Sequence, residues 1–469
     1  MRIIFKVEDF LKIEKAEIDI TNFCVFIGNN NSGKTKLMEL IYGVLHYLSK
    51  KIPKIDYRFR NNTVIFDQEK IQKIINFIND ILEKEREQIL QSIFNKEMSI
   101  GSMQLDISEV DTCYEVIKAT KDNMNIFYED NFIMEKLFTE GENVLDRMHI
   151  IAINTFKNGE RNTKRRLSIM GFPVKTEMNL IKERINSKIM CDILDISIVA
   201  EKSSHLFFPA SRMGLAMLYK EYFNSIGSER EIWIGSEDGI GEDTYQQSDH
   251  VTKPVLDYLR FLQGYSFNIS MAKKNANLID FINEHLLEGA LNEQGEMALY
   301  TPKDSGIRVP LYLASSMINE LDPIIKMLTN RGRTKMLFYD EIETSLHPLK
   351  QLEMVKLLNR LNNNGMRIIL TTHSDTFVTK LNNLLLLSRS GKIDKDPVYI
   401  RDGKIEISRE DLLKTDDIHI YQFINKDNGR SEVSELEFRT APMVGYSFDL
   451  FEDSSTSLFE ETKLALGVE

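Results

Sequence analysis

Gly28-Asn29-Asn30-Asn31-Ser32-Gly33-Lys34-Thr35 decides how the rest of this chain is read. Ahead of it runs Phe23-Cys24-Val25-Phe26-Ile27, an apolar segment of strand character. Behind it Leu37, Leu40, Ile41, Val44 and Leu45 recur at helical spacing. A strand, a loop of the form G-x-x-x-x-G-K-[ST] and a helix, in that order, make a phosphate cradle. The glycines let the backbone close around an anion. Successive N–H groups of the loop and the helix N-terminus face that anion. Lys34 is placed to reach the β- and γ-phosphates of a nucleotide, and the Thr35 hydroxyl to ligate Mg²⁺.

Working outward, the next informative stretch is Met336-Leu337-Phe338-Tyr339-Asp340-Glu341, an apolar strand ending in two acids. Such a strand end places Asp340 in the Mg²⁺ shell and Glu341 as general base for an attacking water. One strand later, Arg367–Leu370 leads into Thr371-Thr372-His373-Ser374-Asp375. A histidine there can contact the γ-phosphate and sense hydrolysis. Strands alternate with helices at both ends of the chain, which indicates an α/β architecture.

Together these three motifs resemble the ABC ATPase superfamily, more narrowly its RecF/SMC/OLD-like branch (AAA-15-like). Glu343-Thr344-Ser345-Leu346-His347-Pro348 is similar to the D-loop of that branch, and Phe208-Pro209-Ala210-Ser211-Arg212 to a segment common in its stand-alone ATPases. The resemblance covers roughly 1–50 and 200–425. It implies ATP and Mg²⁺ as cofactors and a signature motif that completes the partner's site. Ala314-Ser315-Ser316-Met317 stands where the signature belongs, without the usual double glycine. Ile342 replaces the proline common after the two acids, and no glutamine is placed as a Q-loop. Two subunits would then sandwich two ATP molecules head to tail. One contributes Lys34, Thr35, Asp340, Glu341 and His373; the other contributes Ser315, Ser316 and Ser345.

The resulting expectation is an ABC-type head, a mixed sheet with flanking helices assembled from 1–50 and 201–430. Residues 51–200 read as a mixed, mainly helical insert and 431–469 as a tail. Residues 1–27 read as a strand pair. Residues 66–95 carry helical periodicity that breaks at Asn95. Val398–Ile407 reads as a hairpin turning at Asp402-Gly403.

Composition narrows the class further. The chain has 469 residues, 42% hydrophobic and 28% charged, as expected of a globular protein with a large core. It lacks an apolar run of about 18 residues, which argues against a membrane span, and the charge-interrupted N-terminus does not read as a signal peptide. Cys24, Cys113 and Cys191 lack metal-ligand spacing, which points to a reducing cytoplasm. A net charge of −12 argues against a surface built for duplex DNA. A basic stretch over 157–188 nevertheless leaves a local DNA contact open.

Lys34 and Asp340 lie 306 positions apart, a spacing that resembles RecF- and OLD-type proteins more than transporter heads. Asp394-Lys395-Asp396 has the spacing of a Toprim metal pair but sits in a loop, so no intrinsic nuclease is expected. By analogy the chain resembles the ATPase subunits of anti-phage systems such as Septu and PARIS. The leading expectation is an oligomeric switch or sensor that controls a separately encoded effector nuclease. The alternatives are a RecF-like DNA-binding ATPase in recombination or repair, and a head serving a transporter.

Overall fold

The computed structural model describes residues 1–120, 145, 148–196, 198–199, 202–219, 251–294, 297–332, 334–391, 393, 397–400, 405–413, 418–439 and 445–466. The chain forms two compact units. The larger comprises Phe5–Val44, Glu87–Ser102 and Val199–Glu469; the smaller comprises Met1–Ile4, Leu45–Arg86 and Met103–Ile198.

The larger unit is built on a mixed sheet. Eight of its nine strands are β1 (Arg2–Phe10), β2 (Ile13–Asp19), β3 (Phe23–Gly28), β4 (His205–Phe208), β5 (Met336–Tyr339), β6 (Arg367–Thr371), β7 (Ile418–Asn425) and β8 (Ser431–Glu435). They lie in the order β4-β5-β6-β3-β7-β8-β2-β1. β4 to β6, β3 and β7 run parallel, and β7 and β8 form an antiparallel pair. A parallel sheet covered by helices buries both faces of its strands. That is why β3, β4 and β5 read as unbroken apolar runs and are buried almost throughout. The helices bearing on the site are α1 (Lys34–Ser49), α2 (Lys253–Gln263), α3 (Ser316–Thr329), α4 (Pro348–Asn363) and α5 (Asp375–Ser390).

The middle of the sheet is β3, flanked by β6 on one side and β7 on the other. Neighbours in space thus come from opposite ends of the sequence, with Val25 beside both Leu370 and Ile420. The core packs around this centre, with Val25, Phe208, Leu337, Leu358 and Leu381 all buried within it.

Several details depart from the sequence reading. The N-terminal segment holds three strands, not a pair. The 66–95 stretch is two helices, Gln68–Lys84 and Arg86–Phe94; helix ends before Asn95 as expected, and Glu85 adds an interruption that the periodicity did not show. Glu85 leaves the helical conformation, and its carboxylate accepts a hydrogen bond from the Tyr47 hydroxyl at 2.6 Å and pairs with Lys51 at 2.5 Å. Residues 87–102 belong to the larger unit. Ser431–Glu435, assigned to the tail, is a strand of the main sheet. Val398–Ile400 does pair antiparallel with Ile405–Ile407; the Asp402-Gly403 turn lies outside the described residues, as do Asp394 and Asp396.

The smaller unit carries a four-stranded antiparallel sheet of Thr63–Phe66, Thr112–Lys118, Met148–Lys157 and Glu160–Pro173, together with the helices Gln68–Lys84 and Met178–Ile193. No helix among the described residues is long and apolar enough to cross a membrane.

Candidate nucleotide site

β3 delivers the chain to Gly28 at the centre of the sheet. Gly28 has φ of 138°, and a Cβ there would lie 2.1 Å from the carbonyl oxygen of Phe423 in β7. Only glycine allows this approach. Gly33, at φ 97°, turns the chain into α1, and Asn31 between them is also left-handed. The far end of β7 braces the loop. The Asn425 N–H donates to Asn29 Oδ1 at 3.1 Å, and Asn425 Nδ2 donates to the Asn30 carbonyl at 3.0 Å. The Ser32 hydroxyl donates to the Asn29 carbonyl at 2.8 Å.

Lys34 is folded into this cradle. Its Nζ donates to the carbonyls of Asn29 at 2.7 Å and Gly28 at 3.1 Å. Burial lowers its pKa to about 8, against the opposing pull of Asp340, Glu341 and Glu343. Lys34 therefore loses its proton as pH rises through about 8. A bound phosphate needs the charged form, so affinity is complete below that value and lost above it. The expected result is a nucleotide affinity flat to about pH 7 and roughly tenfold weaker by about pH 9, read by fluorescent-nucleotide titration. A flat profile to high pH would refute this role for Lys34.

Thr35 and Asp340 come together from positions 305 apart. Thr35 Oγ1 donates to Asp340 Oδ1 at 2.9 Å. From β6, Thr371 Oγ1 donates to the same carboxylate at 2.6 Å and accepts the Glu341 N–H at 2.7 Å. Asp340 is buried, and burial raises its pKa against these hydrogen bonds. A buried carboxylate beside a threonine hydroxyl is a hard-oxygen set, the donor chemistry Mg²⁺ takes. With the cradle that Gly28 keeps open and the ammonium of Lys34 inside it, these residues fit a Mg²⁺-nucleotide.

Glu341 follows Asp340 in a left-handed conformation at φ 45°. His373 lies just past β6, and burial, then the nearby Lys34 charge, lowers its pKa. Its backbone N–H donates to Glu343 Oε1 at 2.6 Å, and Thr372 Oγ1 donates to Glu343 Oε2 at 2.7 Å. Glu343 thus ties the turn after β5 to the turn after β6. Ser374 caps α5, accepting from the Phe377 N–H at 3.1 Å.

Ser315, Ser316 and Ser345 are exposed, and no hydrogen bond among the described residues links them to the loop. Ser315 is the N-cap of α3 without a side-chain cap bond, and Ser345 has φ of 61°. Within a single chain the structure joins Lys34, Thr35 and Asp340 and leaves these serines apart. Three contributors went unassigned in the sequence reading. Thr371 and Glu343 stood inside quoted motifs without roles. Asn425 carried no local signal, because its partners Asn29 and Asn30 are some 400 positions away.

A glycine cradle at the end of a central parallel strand, with a lysine inside and an acid from the next strand but one at its threonine, defines a P-loop nucleotide-binding protein. Residues 1–378 match the profile AAA_15, described as an AAA ATPase domain, and the chain belongs to that family. Among curated proteins none matches. Similar solved structures include an SMC head bound to the C-winged helix domain of ScpA, 11% identical, covering 93% of this chain and 97% of that one, TM-score 0.36. Another is the SMC head domain from Thermotoga maritima, 10% identical, covering 93% and 100%, TM-score 0.33. A third is the Smc head domain with an extended coiled coil bound to the C-terminal domain of ScpA derived from Pyrococcus furiosus, 10% identical, covering 99% and 100%, TM-score 0.35.

Proposed function

We propose that this chain binds ATP with Mg²⁺ at the 28–35 loop, hydrolyses it to ADP and phosphate, and uses the bound state as a switch. The observation that carries this reading is the contact of Thr35 with Asp340, which unites the loop and the acidic strand end in one site. Lys34 exchanges its two carbonyl partners for β- and γ-phosphate oxygens. Thr35 and Asp340 hold the cation, and bound Mg²⁺ supplies positive charge to the phosphate oxygens. Glu341 accepts a proton from the water that attacks the γ-phosphorus as the bond to the β,γ-bridging oxygen breaks. His373, kept neutral by burial, hydrogen-bonds the departing phosphate.

The exposed Ser315, Ser316 and Ser345 are the groups a second copy offers across a head-to-tail pair. ATP then bridges the closed pair and not the open one, which makes its binding a population shift. The finer role is a switch or sensor subunit of an anti-phage complex that restrains or activates a separately encoded nuclease. Its support is an analogy of architecture to such ATPase subunits; the motifs and their spacing resemble the wider RecF/OLD-like branch. The basic stretch gives the DNA-binding alternative less weight, because it is partly neutralised. Lys164 pairs with Glu115, and Lys182 pairs with Asp56 at 2.9 Å.

The test is phage plating on cells carrying the gene with its native neighbours. Protection by the wild type, lost both with Lys34→Ala and on deletion of the neighbouring gene, is the expected result. No protection across a broad phage panel would reject the defence role in favour of DNA repair.

A further inference from the structure

Arg212 is completely buried, one of the largest side chains to be so among the described residues. It follows β4 in the larger unit, and both Nη atoms of its guanidinium donate to backbone carbonyls, while Nε makes only an ion-pair contact. Nη1 donates to the Asp340 carbonyl at 2.8 Å and to the Pro209 carbonyl at 3.1 Å. Nη2 donates to the Glu341 carbonyl at 3.3 Å. Nε pairs with Glu320 of α3, itself buried. The face of the guanidinium lies over the Tyr339 ring, 4.6 Å from its centroid, and the Tyr258 hydroxyl of α2 donates to the Arg212 carbonyl at 3.2 Å.

Two of these contacts fall on the peptide carbonyls of the acids at the end of β5. Glu341 is held there at φ 45°, a conformation that costs a residue with a Cβ and persists only when its surroundings impose it. The Thr371 hydroxyl holds the Glu341 N–H, and Arg212 holds its carbonyl. The third contact reaches α3, the helix whose first turn presents Ser315 and Ser316.

We infer that Arg212 is a positioning residue. It clamps the Asp340–Glu341 turn so that the Glu341 carboxylate faces the attacking water, and through Glu320 it ties that turn to the helix carrying the exposed serines. The inference rests on the proposed ATPase reading. Binding of nucleotide uses Lys34, Thr35, the loop N–H groups and the Asp340 carboxylate; Arg212 meets Asp340 only at its peptide carbonyl, while Thr35 and Thr371 hold the carboxylate. Removing the clamp therefore slows turnover without weakening binding. A residue that serves the fold alone carries no such asymmetry. Lysine keeps the charge toward Glu320 but lacks the planar fork that serves two carbonyls and a carboxylate together.

The experiment compares full-length wild type, Arg212→Lys and Glu320→Gln, each with a thermal melt, Mg²⁺-dependent fluorescent-ATP titration and steady-state hydrolysis. Arg212→Lys is expected to lower kcat roughly 10- to 100-fold, the scale of a small misplacement of a catalytic group, with the nucleotide Kd within about threefold of wild type. Glu320→Gln, which keeps the shape and loses the charge, is expected to lower kcat by a smaller factor at unchanged Kd. It carries the test if Arg212→Lys fails to fold. A kcat within twofold of wild type in the folded variant, or a loss confined to nucleotide affinity, would overturn the inference. A wild type that neither binds nor hydrolyses ATP would instead remove the reading beneath it, so the two failures are distinct.

Discussion

Glu341→Gln retains nucleotide affinity and loses hydrolysis by on the order of 10²- to 10⁴-fold, the usual contribution of a positioned general base. Glutamine has the shape of glutamate but does not take up the proton of the attacking water. The backbone of the turn is held independently of the side chain, by the Thr371 hydroxyl on the Glu341 N–H and by Arg212 on its carbonyl. The substitution therefore removes a proton acceptor and leaves the geometry. Because ATP then stays bound, the variant accumulates in the closed, paired state. Light scattering coupled to gel filtration with Mg²⁺-ATP reads this as a larger mass than the nucleotide-free protein. Wild-type turnover in the variant would assign the base elsewhere.

Lys34→Ala abolishes useful nucleotide binding. The ammonium makes charge-assisted hydrogen bonds to phosphate oxygens, and losing them costs roughly 2 to 4 kcal/mol, a 30- to 1,000-fold rise in Kd. The fold is expected to survive. In the nucleotide-free protein the buried ammonium is a burden, as its lowered pKa records. Alanine removes that burden along with two carbonyl hydrogen bonds. A thermal melt at or above the wild-type value, combined with lost fluorescent-ATP binding, separates a binding defect from unfolding. Unchanged affinity would reject the 28–35 loop as the site.

The site was legible to different depths for physical reasons. The cradle is local: Gly28, Gly33, Lys34 and Thr35 act through backbone geometry spanning eight residues, so their spacing alone specifies the loop. The acids at 340 and 341 were legible because a strand buried on both faces is apolar until it ends, and the first polar residues mark the end. Thr371 stood one strand away in a quoted motif. Its role is invisible in sequence because it depends on β6 lying beside β5, which brings its hydroxyl to Asp340.

Arg212 shows the same limit more sharply. As an isolated arginine in Pro-Ala-Ser-Arg it carries no signal of burial, and arginine is ordinarily exposed. Only the assembly of β4, β5, α2 and α3 surrounds it with carbonyls and a carboxylate that permit complete burial. The helix break at Glu85 was likewise missed, since apolar periodicity runs through it. A carboxylate drawn to Tyr47 and Lys51 decides it instead.

By itself, then, the sequence determined the α/β class, the glycine loop between strand and helix, and the acid pair at a strand end. Each of these depends on residues near one another along the chain, or on the burial pattern of a single strand. The tertiary structure alone decided that β3 sits between β6 and β7, that Asn425 braces the loop, that Thr371 and Arg212 fix the turn at Glu341, and that 431–435 belongs to the sheet. Those contacts join residues tens to hundreds of positions apart. Strand order and side-chain packing create them, and neither leaves a periodic mark in a single sequence.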